Sequence, residues 1–97
     1  MMMATGLFPL GHIVITQGIK ALIDDQQSAV NNNDLLALLH RHQSGDDGDV
    51  CEQDRQSNQD ALKHQLRIFS VYQQTNTLWI ITEADRSSTT ILLPEEY

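Results

Sequence analysis

Basic residues are scarce: six Lys and Arg against thirteen Asp and Glu leave this 97-residue chain at a formal charge of −7. Nucleic acid and anionic lipid both need cationic side chains to neutralise them, so direct nucleic-acid binding and membrane binding are not expected, and a charged partner would be basic. Cysteine is limited to Cys51. That excludes an intramolecular disulfide and removes the usual mark of an oxidising compartment, so a cytoplasmic setting is the expectation. No segment approaches the roughly 20 apolar residues of a membrane span. The opening Met1-Met2-Met3 stretch lacks the basic and sustained apolar regions of a signal peptide, and residues 1–9 are given no structural role. A phosphate-cradling loop, a nucleophile motif and paired Cys or His spacing are also missing, so no sequence motif supplies an enzyme reaction, a cofactor site or a metal site. At this length one modest core is expected, in a single domain.

The densest structural signal lies in residues 66–93. Leu66-Arg67-Ile68-Phe69-Ser70-Val71-Tyr72 is rich in β-branched and aromatic side chains and predicts a strand. The polar segment 73–77, with Asn76 tolerant of left-handed backbone angles, predicts a reversal. A second strand is expected over 78–83. Its continuous Leu78-Trp79-Ile80-Ile81 run suggests a central strand covered on both faces, with Trp79 in the core rather than a stacking platform. After a turn at 84–88, a third strand over 89–93 stops at Pro94. Connections this short make a meander.

Earlier in the chain, His12-Ile13-Val14-Ile15 is a strand candidate that would add an edge, and Thr16 is placed to cap the helix that follows. Ile19, Leu22 and Ile23 at helical spacing predict an amphipathic helix over 17–26, weakened by Gly18. A second helix is expected over 34–43, capped by Asn33 or Asp34, burying Leu35, Leu36, Leu38 and Leu39 and ending at Gly45. Asp49 and Glu52 have the spacing of a capping box for a third, polar helix over 50–64, with pinned ends and a solvated middle. The expected fold is therefore α+β: a three- to four-stranded antiparallel meander (66–93, with 12–15 as the fourth strand) packed against two or three short helices. The helices at 17–26 and 34–43 should cover one face, leaving Arg67, Thr82 or Thr90 on the open one.

Polar groups concentrate between His40 and Glu52. His40 and His42 are two apart and face different sides of a helix, so capping and solvation explain the cluster better than a metal does. Cys51, near a helix start, is more often a small buried group than a reactive thiol. The one constellation expected to converge is His42, Asp46, Glu83, Asp85 and Arg86, with Arg86 paired to a carboxylate through its two-pronged guanidinium. A structural tie between helix and sheet is favoured over a ligand or acid–base site.

The segments Arg41-His42-Gln43-Ser44-Gly45-Asp46, 54–62, Trp79-Ile80-Ile81-Thr82-Glu83-Ala84-Asp85-Arg86 and Leu92-Leu93-Pro94-Glu95-Glu96-Tyr97 resemble a family of small uncharacterised proteins carried on plasmids and integrative elements. Some of these are labelled as a type I restriction enzyme subunit. The resemblance runs from about Leu10 onward and is most specific in the C-terminal block. It implies mobile-element cargo without a set reaction, and the chain has no room for a methyltransferase or motor domain. Family members typically read Gly-Asp-Trp-Gly where this chain has Asp47 in place of the tryptophan, so no site built on that ring is expected here.

Size, acidity and the lack of a site motif point to a non-enzymatic interaction protein that binds a protein partner or itself. A homodimer would cover the exposed edges of so small a sheet. Two alternatives stand beside it. One is an acidic DNA mimic acting on a restriction or nuclease complex through Asp46, Asp47, Asp49, Glu52, Asp54 and Asp60; the other is a small enzyme or ligand-binding domain built on the His/Asp/Glu/Arg cluster.

Overall fold

A computed structural model describes residues 6–25, 27 and 30–97. The order is β1 (His12–Ile15), α1 (Gln17–Asp24), α2 (Asn32–Gln43), α3 (Glu52–His64), β2 (Ile68–Gln73), β3 (Thr77–Thr82), β4 (Ser88–Leu92) and a short 3-10 turn at Pro94–Glu96. The α+β class is as expected, and β2, β3 and β4 form the antiparallel meander.

The fourth strand corrects the purely antiparallel expectation. β1 pairs with β4 in parallel, so the sheet is mixed, in the order β1-β4-β3-β2. The cause is topological. Two hairpin reversals make β2 and β4 run the same way, and a helical crossover from β1 to β2 at the far edge gives β1 that direction too.

One face of the sheet carries Ile68, Ser70, Tyr72, Leu78, Ile80, Thr82, Thr89 and Ile91, all buried. Ile19 from α1 and Leu35, Leu38 and Leu39 from α2 close over it, as the spacing predicts. Leu36 does not join them; it is 64% exposed. Thr82 belongs to this covered face rather than the open one. The open face carries Thr90, as expected, together with Phe69, Trp79, Ile81 and Leu92. Trp79 is only half-buried there, held edge-on between Phe69 (ring centroids 5.0 Å apart) and Tyr97 (5.5 Å).

The N-termini of α2 and α3 differ from expectation, while that of α1 does not. Thr16 caps α1 as predicted, accepting from the Ile19 N–H, and also donates to Glu96 Oε1 at 2.5 Å. Glu96 Oε2 accepts from the Gly18 N–H at 2.8 Å. A β-carbon at Gly18 would lie 2.8 Å from that carboxylate, so this glycine admits an anion to the helix N-terminus. α1 ends at Asp24, and Gln26 lies outside the described residues. α2 is capped by Asn31, not Asn33 or Asp34; Asp34 is instead the reciprocal member of the capping box. Gly45, with φ +94, follows its end as predicted. The Asp49–Glu52 capping box does not form. Cys51 occupies the cap position without a side-chain bond and is exposed, while the Asp49 N–H is directed to Val71 O of the sheet.

Candidate functional site

α3 is not solvated through its middle, because Asn58 and Ala61 are buried against the sheet. Asn58 lies against the outer edge of β2. It accepts from the Phe69 N–H (3.0 Å) and donates to Phe69 O (2.6 Å), acting as one residue of a missing strand, and it also donates to Asp47 Oδ2 (3.1 Å). Two residues along, Val71 N–H donates to Asp47 O and Asp49 N–H to Val71 O, forming a parallel bridge at Gly48. Arg55 fastens the segment by donating to Asp47 Oδ1 and Gly48 O. The β2 edge is thus closed at Phe69 and Val71 by the chain itself.

Gly48 is required for this closure. Its φ is +70, and a β-carbon there would stand 2.0 Å from Val71 O. Gly48→Ala is expected to cost more than about 2 kcal/mol, checked by urea unfolding, since left-handed strain and a backbone clash add.

His42 is also placed by α2, but inward. Its Nδ1 lies 2.6 Å from Ser70 Oγ and its Nε2 2.9 Å from Thr82 Oγ1; Thr82 Oγ1 is 2.7 Å from Thr89 Oγ1, which donates to Leu10 O. Because the last acceptor is a carbonyl, Thr82 donates to Thr89 and His42 Nε2–H to Thr82; in the neutral ring Nδ1 is then bare and accepts from Ser70 O–H. Burial pushes the imidazole down to about pKa 4, against a smaller opposing pull from Asp47. The neutral ring is therefore the stable form above that value. Ser70 and His42 have the geometry of a hydroxyl and its base, yet Ser70 has no exposed surface. The ring's other nitrogen, Nε2, also meets a hydroxyl rather than a carboxylate that would hold an imidazolium. The arrangement ties α2 to the covered face.

The other expected site residues go elsewhere. Asp46 pairs with Arg41 Nε at 2.7 Å, which holds its carboxyl below the usual range. The Tyr72 hydroxyl donates to Asp46 O. Glu83 lies 3.8 Å from Arg67, and Asp85 accepts from the Ser87 N–H within the turn. Arg86 meets none of these carboxylates. It donates to the carbonyls of Leu66, Glu83, Ala84 and Ala61, and its guanidinium stands over the Phe8 ring. His42 and Asp46 line one hollow of about 280 Å³, and Asp85 and Arg86 another. The five do not form one site. Backbone carbonyls at the end of α3 and in the β3–β4 turn converge on the guanidinium; those of Ala61 and Glu83 already accept backbone N–H groups, from Leu66 and Arg86, and take it as a further donor. Arg86 also sits at φ +62, so two effects separate by mutation. Arg86→Ala should lose about 2–3 kcal/mol and Arg86→Gly about 1 kcal/mol less, as relief of left-handed strain offsets part of the lost bonding; thermal melts of the pair check this.

What the sequence pattern did not reveal is at the other edge. Ile13, Val14, Ile15 and Leu36 supply four of the eight exposed large apolar side chains among the described residues. Beside β1 runs a groove of about 300 Å³ lined by Ile13, Ile15, Asn32, Leu35, Leu36, Leu39 and Ile91, none of them charged. His12 N–H donates to Ser87 O and Thr16 N–H to Ile91 O. The even-numbered residues of β1 therefore face β4, and Ile13 and Ile15 direct their N–H and C=O groups outward. An apolar groove between a strand edge and a helix is the form used for strand addition.

No helix among the described residues is long and apolar enough to cross a membrane. No protein-family model, curated protein or solved structure matches the chain.

Proposed function

We propose that this chain is a protein-interaction domain that receives an extended protein segment as an added strand along β1, its side chains entering the groove against α2. The observation that carries the proposal is the contrast between edges. β2 is closed by Asn58 and residues 47–49, while β1, with outward backbone groups at Ile13 and Ile15, lies beside an uncharged groove. β1 has neither Lys nor Pro, side chains that commonly protect an edge. The resemblance to mobile-element proteins adds that the partner belongs to such an element or its host. The acidic-mimic reading has less support, because Asp46 and Asp47 are taken up by Arg41, Arg55 and Asn58 rather than set out in a free row.

Ile13→Pro tests the proposal. It removes an outward N–H without touching the bonds to β4. Partner capture should fall at least tenfold, while Leu66→Lys, at an exposed apolar residue distant in sequence from β1, should leave it intact. Capture unaffected by Ile13→Pro would end the reading.

A further inference from the structure

We infer that the strand added at β1 is β1 of a second copy, paired antiparallel about a two-fold axis through Val14; this rests on the strand-addition reading above. Only Ile13 and Ile15 offer outward backbone groups, so an antiparallel partner must set Ile13 opposite Ile15 and Ile15 opposite Ile13, giving four backbone hydrogen bonds. A shift toward the N-terminus would use Gly11, whose φ of +68 takes it out of the extended region. A shift toward the C-terminus would use Gln17, already in α1. One register remains, and it is its own mate, as an isologous interface requires. The side chains agree with it. Ile13 and Ile15 of each copy lie on the helix-covered face beside the exposed Leu36, so one copy supplies what the other's groove lacks. Two chains of net charge −7 repel, and this groove, lined without a charged residue, adds no like-charge contact to that repulsion. The product is a continuous eight-stranded sheet with β2 at both ends, where each copy has already closed its edge.

Cross-linking reads the register directly. Val14 would face its own copy in a non-hydrogen-bonded pair at about 4.5 Å between α-carbons, inside the roughly 4.4–6.8 Å span of a disulfide. In a Cys51→Ser background, which removes the exposed native thiol, Val14→Cys should oxidise to a covalent dimer at least tenfold faster than Ile13→Cys or Ile15→Cys alone. The Ile13→Cys/Ile15→Cys double variant should recover the rate. Light scattering of the unaltered chain at tens of micromolar should give twice the 11.0 kDa chain mass, and Ile13→Pro should return it to one. A monomeric unaltered chain, or equal oxidation at positions 13, 14 and 15, overturns self-pairing. If the chain is monomeric and Ile13→Pro still abolishes capture of a protein partner, strand addition stands and only the second copy is wrong; if capture is also insensitive to Ile13→Pro, both fall.

Discussion

Between pH 7.5 and 4 the domain is expected to lose about 3 kcal/mol of stability through His42 alone. The folded chain holds this imidazole neutral, with a pKa pushed down to about 4 by burial, against an ordinary 6.5. Below pH 6.5 the unfolded chain takes up a proton that the folded one refuses. The stabilisation is complete above 6.5 and falls until the folded group titrates near 4; the 2.5 units at ~1.4 kcal/mol each give about 3.5 kcal/mol in full, of which about 3 is lost by pH 4, where the folded ring is half protonated. Asp46, held low by Arg41, yields only below the ordinary carboxylate range, so His42 acts first on acidification. Urea unfolding at several pH values checks this. His42→Gln should be less stable at neutral pH but nearly flat across the window. A slope unchanged by that substitution would place the acid sensitivity elsewhere.

Asn58→Leu is expected to cost about 3 kcal/mol although the two side chains share the same branched heavy-atom skeleton. It removes both bonds to Phe69 and one to Asp47 and leaves part-buried backbone groups without these partners. The variant also reopens the β2 edge, so concentration-dependent association should appear that Ile13→Pro does not suppress. Asn58→Asp keeps an acceptor for the Phe69 N–H but loses the donor and sets a second carboxylate beside Asp47; it should be destabilised as well. Stability within 0.5 kcal/mol of the unaltered chain, a shift usual for surface changes, would mean that the edge is closed by other groups.

The strands at residues 66–93 were legible because β-branched alternation and short polar turns are local signals, and so was the 3.6-residue spacing of Ile19, Leu35, Leu38 and Leu39. The parallel placement of β1 was not, since strand order is set by the crossover and leaves no mark in His12–Ile15. Asn58 looked like one more polar residue on a polar helix; its value comes from Phe69, eleven positions away. His42 was singled out for the right chemistry and the wrong neighbours. Its partners are the hydroxyls of Ser70 and Thr82, the latter bonded on to Thr89, and all three read as ordinary strand residues. Arg86, a residue that pairs readily with a carboxylate, instead meets four backbone carbonyls that the fold brings together from the end of α3 and the β3–β4 turn, a convergence that leaves no mark in the sequence.

The contrast between a closed β2 edge and a usable β1 edge is tested most directly by residue-resolved amide hydrogen exchange across a dilution series. At every concentration the Phe69 and Val71 amides should be strongly protected. The Ile13 and Ile15 amides should exchange quickly in dilute solution and become protected as concentration rises, while exposed turn amides stay unchanged. Fast exchange at Phe69 and Val71, or protection at Ile13 and Ile15 that does not change with concentration, would contradict it.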